Sequence, residues 1–175
     1  MTPAPKITLV TTHLEMLSRP EREIGPAPAG LEIHHIARPP LHFYRYLYDT
    51  ISAPWVWWER KRQTDEEVAA DLHSPEFWFY VPYLEHVPIG MVELDCRRFP
   101  EVQLNYFGII PECCGQGLGT YVLDWSVDLV WNAGATRYWL HTCTLDSPAA
   151  LPVYRKAGFA EFKTVTEEVD DPRCD

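Results

Sequence analysis

The run Cys114-Gly115-Gln116-Gly117-Leu118-Gly119-Thr120 constrains this chain more than any other, because of what stands on either side of it. Before it lies EVQLNYFGII (101–110), rich in β-forming residues, and after it Leu118, Tyr121, Val122, Trp125 and Leu129 recur at helical spacing up to Gly134, a natural C-terminal cap. RYWLHTC (137–143) then supplies a further strand. A strand, glycine loop, helix and strand in that order imply a right-handed crossover joining two parallel strands, with a ligand at the junction. Glycines let backbone approach such a ligand, and the free N–H groups at a helix start form an anion site. A dinucleotide fingerprint needs a third glycine where Thr120 stands, and a Walker loop needs Gly-Lys-Ser/Thr, so NAD and ATP both lose ground. The plain alternative is a tight strand-to-helix turn.

The other elements are set by punctuation. Pro3, Pro5, Pro20, Gly25, Pro26, Pro28 and Gly30 predict that residues 1–30 form an arm without long regular elements, ahead of a single domain over 31–175. LEIHHIAR (31–38) alternates as a strand, and Pro39-Pro40 opens a helix carrying Phe43, Leu47 and Ile51. Thr64 and Glu67 form a capping box that starts a helix over about 65–73. FWFYVPYL (77–84) and IGMVELDCR (89–97) pair as a hairpin. SPAALPVYRKAG predicts a helix capped by Ser147 with Pro148 at its first position, which leaves Pro152 awkwardly inside it, and FAEFKTVTEEV closes the chain as a strand. The class is α/β or α+β: a mixed sheet flanked by helices.

A length of 175 residues suits one domain, and 46% hydrophobic with 13% aromatic residues excludes intrinsic disorder. Fifteen basic against 25 acidic side chains give a net charge of −10, which repels phosphate backbones and removes nucleic acid as a partner. No apolar run reaches the ~18 residues of a membrane span, and the opening residues lack the apolar stretch of a signal peptide, so a cytoplasmic protein without a membrane partner is expected. Five cysteines, an odd number, are expected as reduced thiols. Their spacing, with His141 near Cys143, lacks the paired pattern of a zinc site, and no metal is expected.

IIPECCGQGLGTYVLDWSVD, followed about thirty residues on by TLDSPAALPVYRKAGF, resembles motifs A and B of the GNAT acetyltransferase superfamily. Gly117 and Gly119 match the first motif, and Asp146, Ala150, Tyr154, Gly158 and Phe159 match the second. The resemblance spans the chain except the arm and the last few residues, and it implies a twisted mixed sheet with a splayed parallel pair that receives acetyl-CoA. It also implies that backbone near Phe107, Ile109 and Ile110 pairs with pantetheine. The amides of Cys114, Gly115, Gln116, Gly117, Leu118, Gly119 and Thr120 would then hold the pyrophosphate, with Asp146 and Tyr154 also on the cofactor side. The first loop position, usually Gln or Arg, is Cys114; backbone amides do not depend on side-chain identity, so binding with lower affinity is expected.

Acetyl transfer to an amine needs a base for the ammonium and an acid for the departing thiolate, whose pKa values are about 10.4 and about 8.5. The resemblance assigns the acid to Tyr154. The family's usual glutamate position falls on Gln103, whose amide cannot take a proton, which leaves Glu101 on the same strand face and Glu93 on a neighbouring strand as bases, each equally an ordinary carboxylate. His141 should border the cleft, although a buried and satisfied histidine is the commoner outcome. Cys113 and Cys114 lack a triad-like base, so direct attack on the thioester is expected. The resemblance places the acceptor pocket at the first two helices and their connection, where Trp55, Trp57 and Trp58 would wall a small-molecule amine by cation–π attraction, with Asp49 and Glu59 as available carboxylates. The same aromatic run suits core packing or a homodimer interface. A non-catalytic acyl-CoA sensor and a protein lysine or N-terminal acetyltransferase are the alternative functions.

Overall fold

Lys6–Met16 contains neither proline nor glycine, and it forms an 11-residue strand, β1. The expectation of an arm without long elements is thereby overturned. Pro5 and Pro20 flank the strand and do not interrupt it, and Leu9, Leu14 and Met16 are buried. The computed structural model describes residues 5–174, so residues 1–4 of the expected arm, and residue 175, lie outside the described residues. The rest of the arm is tied down along a helix, as described below.

After β1 come β2 (Leu31–His35), α1 (Leu41–Ser52), α2 (Glu59–Arg62), α3 (Asp65–Leu72), β3 (Phe77–Leu84), β4 (Val87–Pro88), β5 (Gly90–Arg98) and β6 (Glu101–Ile109). A short 3-10 turn then leads to α4 (Leu118–Asn132), β7 (Arg137–Cys143), α5 (Ala150–Ala157) and β8 (Ala160–Asp170). One sheet runs β2-β3-β5-β6-β7-β1-β8, with β4 paired to β3. Every pairing is antiparallel except β6 with β7. That parallel contact is brief: Glu101, Val102 and Gln103 face Arg137, Tyr138 and Trp139, and beyond Gln103 the two strands part.

Helices cover the two faces unequally. Tyr44, Leu47, Tyr48 and Ile51 recur at i, i+3, i+4 and i+7 along α1, and this stripe packs on Phe79, Val81 and Met91. The opposite face carries the larger core, in which Leu118, Val122, Leu123, Val127 and Val130 of α4 meet Val92, Leu94, Leu104 and Leu140. Met91 and Val92 are neighbours in sequence and belong to different cores, because successive strand residues point to opposite faces. Arg19 binds Asp128 and Asn132, both at 2.8 Å, and Arg22 binds Asp124 at 2.5 Å, so the segment after β1 is fastened along α4.

The capping box is complete, with Glu67 donating its N–H to Thr64 Oγ1 at 3.3 Å and accepting from Thr64 N–H at 2.8 Å. Ser147 does not cap α5. The helix begins at Ala150, which places Pro152 in its first turn, where the missing N–H has no helical partner to lose. Among the described residues no helix is long and apolar enough to cross a membrane. All five cysteines are unpaired, and no group of three or more His, Cys, Asp or Glu among the described residues is arranged around a cation position.

Candidate active site

The parting of β6 from β7 opens a cleft of about 480 Å³, within the range of small-molecule sites. Leu104–Ile109 line one side, and His141, Cys143, Asp146 and Tyr154 line the other. At one end stand Cys114, Gly115, Gly117, Gly119 and Thr120, and across the mouth stand Trp55, Trp57, Trp58 and Glu59. Residues far apart in sequence thus converge where the parallel pair separates, the usual ligand position in open α/β sheets.

The glycine loop is shaped for close approach. Gly115 and Gly117 have φ of +77° and +79°, and a Cβ on either would meet no protein atom within 4 Å. The N–H groups of Gly115 to Thr120 precede the first helical bond, from Tyr121 N–H to Gly117 C=O at 3.1 Å, and have no protein acceptor among the described residues. With the positive end of the α4 dipole, these donors form an anion cradle. Leu118 packs its side chain into the core, and Gln116 turns outward to donate to the Glu112 carbonyl, so these two contribute backbone alone. Cys114 Sγ lies 3.6 and 3.5 Å from the carbonyls of Ile109 and Ile110, bracing the loop on the strand end.

Phe107 and Ile109 line the cleft, and Ile110 does not. Its N–H is spent on the Ile89 carbonyl at 2.8 Å and its own carbonyl accepts from Cys113 N–H at 3.0 Å, so the expected pairing of Ile110 with pantetheine is withdrawn.

Asp146 is the hinge of the opposite wall. It accepts from Thr142 Oγ1 at 2.7 Å, Cys143 N–H at 2.9 Å and Trp57 Nε1 at 3.0 Å. Val56 N–H to the Leu145 carbonyl (3.2 Å) repeats the connection, so the α1–α2 loop is tied to the β7–α5 loop. Tyr154 is 9% exposed, with its ring 6.4 Å from Phe107 and no hydrogen bond to its hydroxyl from the described residues. Burial, reinforced by the charge of Asp146, raises its pKa above the ordinary phenol value. Cys143 beside it is pushed up to about 11 by burial and by Asp146.

Both carboxylates expected as bases stand away from the cleft. Glu101 and Gln103 do share a strand face, but that face belongs to the closed end of the parallel pair, where Glu101 binds Arg137 at 3.0 Å and lines a separate groove with Gln103 and Trp139. Glu93 is fully buried, and its oxygens accept from Tyr44 OH (2.6 Å), Arg60 (2.5 Å) and Asn105 Nδ2 (2.5 Å). Burial opposes the Arg60 charge, but Glu93 and Asp71 outweigh it and hold the guanidinium firmly protonated. The network locks α2 against β5. Its geometry depends on a bulge: Leu94 faces Leu104 and Glu93 faces Tyr106, which leaves Asn105 as the extra residue that turns to Glu93.

The three tryptophans all border the cleft. Trp57 forms a cluster with Tyr48 and Tyr106, their ring centroids 5.2 to 5.5 Å apart. Gly108 permits this approach, since a Cβ there would collide with Ile51 Cγ2 and lie 3.3 Å from Trp57 Cη2. Sequence reasoning passed over Gly108 and Tyr106, although a glycine inside a strand pattern already signals close packing. His141, by contrast with the commoner buried arrangement, is exposed in the cleft, its ring 5.6 Å from that of His13. Asp49 pairs with Lys61 at 3.8 Å outside the cleft.

The splayed parallel pair, the amide loop at a helix start and Tyr154 thus border one cleft. The family model of the Acetyltransferase (GNAT) family matches residues 43–159, more than half of the chain, and the chain belongs to that family. Solved structures agree on the fold. A GCN5-related N-acetyltransferase from Sphaerobacter thermophilus aligns with a TM-score of 0.66 at 14% identity over 97% of this chain and 55% of its own. An aminoglycoside acetyltransferase from an uncultured soil metagenomic sample, in complex with sisomicin, gives 0.58 at 17% over 74% and 88%. The ribosomal-protein-S18-alanine N-acetyltransferase of Escherichia coli gives 0.63 at 17% over 76% and 79%. The chain spans a little over half the length of several of the structures it matches. Comparison with curated proteins finds no match.

Proposed function

We propose that the protein is an N-acetyltransferase that moves an acetyl group from acetyl-CoA to a primary amine of a small molecule by direct attack on the thioester. The observation that carries this reading is the convergence on one cleft of an unpaired strand edge, a loop of free amides and the Tyr154 hydroxyl. The residues fit the donor: the cradle of Gly115 to Thr120 suits a pyrophosphate, and the backbone of Phe107 and Ile109 suits the amide groups of pantetheine. Acetyl-CoA supplies an activated acyl group, and the protein supplies position and proton management. Cys114 in place of Gln or Arg leaves this fit intact, because it braces the loop and the amides do the binding.

Tyr154 serves the leaving group. With its pKa raised it keeps its proton near neutrality, and it assists a thiolate of pKa about 8.5 by donating a hydrogen bond without becoming ionised. His141 takes over from Glu101 and Glu93 as the group that accepts the amine's proton, since it is the histidine that lines the cleft. Trp55, Trp57 and Trp58 wall the acceptor side.

The test is release of free CoA in the presence of an amine panel. Amine-dependent release supports the reading. Tight acetyl-CoA binding with no turnover on any amine would replace it with an acyl-CoA sensor, and labelling of lysines or N-termini on a peptide array would move the acceptor from small molecules to proteins.

A further inference from the structure

The charges that line the cleft are all of one kind. Among the described residues no lysine or arginine borders it, and its carboxylates are Glu59 and Asp146. Asp146 has three donors on its two oxygens and is committed to the loop. Glu59 has no hydrogen bond or ion pair among the described residues, and it stands at the first position of α2 beside Trp57 and Trp58. Asp49, the other acidic residue of this segment, is engaged with Lys61 and lies off the cleft. The Glu59 charge helps raise the pKa values of Tyr48 and Tyr106, after burial, and contributes to that of Cys143, which places it electrostatically on the acceptor wall.

We infer that Glu59 receives the acceptor's ammonium, and that the acceptor is a primary amine on an apolar or aromatic body without a carboxylate or phosphate of its own. The inference rests on the proposed acetyl transfer and names its substrate class. A cation between aromatic faces and a free carboxylate is doubly attracted. An anionic group on the same molecule meets Glu59 with no cation on the wall to balance it, and like-charge contacts of this kind discriminate against the wrong ligand. Under the proposed transfer the anion cradle at the far end is taken by the donor's pyrophosphate and does not serve the acceptor. Amino acids are therefore poor acceptors, and their decarboxylated counterparts are good ones.

The experiment compares matched pairs, 2-phenylethylamine against phenylalanine and cadaverine against lysine, by two readouts in the wild-type protein and in Glu59→Gln. One is quenching of tryptophan fluorescence, which reports binding without turnover; the other is acetyl transfer. The plain amines are expected to bind and react at least about tenfold better than the carboxylated ones, with Glu59→Gln weakening the plain amines about tenfold and leaving acetyl-CoA affinity unchanged. Equal use of both members of each pair, or wild-type amine binding in Glu59→Gln, would overturn the inference while leaving acetyl transfer standing. Selective amine binding without any transfer would uphold the Glu59 site and sink the transferase reading, so the two failures are separable.

Discussion

Trp57 Nε1 donates to Asp146 Oδ1 across 3.0 Å, and this bond joins the α1–α2 loop to the β7–α5 loop at the cleft. The same carboxylate holds Thr142 and the Cys143 amide, so one residue sets both the strand end and the tryptophan. Asp146→Ala should leave the part-buried Thr142 hydroxyl and the Cys143 and Trp57 N–H groups without their acceptor and lower stability by roughly 2–3 kcal/mol, read by thermal unfolding. Trp57→Phe removes a single bond and should retain the fold while raising the KM of the amine more than that of acetyl-CoA. Equal effects on both substrates would mean that the bond does not divide the site in this way.

Tyr154→Phe removes a hydroxyl and little else, because the ring keeps its contacts with Phe107 and Phe159. Loss of the hydrogen bond to the departing thiolate should reduce kcat by about 100-fold. Acetyl-CoA affinity measured by calorimetry should be unchanged. Unaltered turnover would remove Tyr154 from the chemistry.

Glu93 illustrates what a sequence hides. Its partners Tyr44, Arg60 and Asn105 come from three elements, so nothing local distinguishes this buried carboxylate from a solvated one. Removing one member strands a buried charge, and Glu93→Ala should cost about 3–5 kcal/mol in denaturant unfolding. Replacing Glu93 and Arg60 together with apolar residues should recover part of that loss, because neither charge is then left unpaired. A single variant that is fully stable yet inactive would restore Glu93 as a catalytic base.

The strand–glycine loop–helix order, the capping box and the long helices are legible because each rests on local spacing. β1 is not, because prolines cluster on both its borders and only the clean interval Lys6–Met16 marks the strand. The position of Glu101 away from the cleft is hidden for a geometric reason, since two-residue alternation tells which face a side chain takes but not where along the strand the parallel partner leaves. The bulge at Asn105 is likewise a property of two strands together. His141 was placed correctly at the cleft, while its exposure depends on a sheet face whose cover no sequence pattern announces.

Cys143 tests whether transfer is direct. With its thiol pKa at about 11, it is almost wholly protonated at pH 8 and a poor nucleophile, and alkylation should accelerate as pH rises through that value. Intact-mass measurement after incubation with acetyl-CoA alone should show no acetylated cysteine. A stable acetyl adduct on Cys143 would replace direct attack with a two-step route.

The central claim is that the amide loop and the open β6 edge bind acetyl-CoA, and calorimetry of the protein with acetyl-CoA, alongside ATP and NAD, tests it most directly. Selective binding in the micromolar range, about −8 kcal/mol, is predicted, weakened about tenfold by Gly117→Ala, whose Cβ would enter the cradle at a φ of +79°. Absence of acetyl-CoA binding, or equal binding of all three nucleotides, would contradict the account.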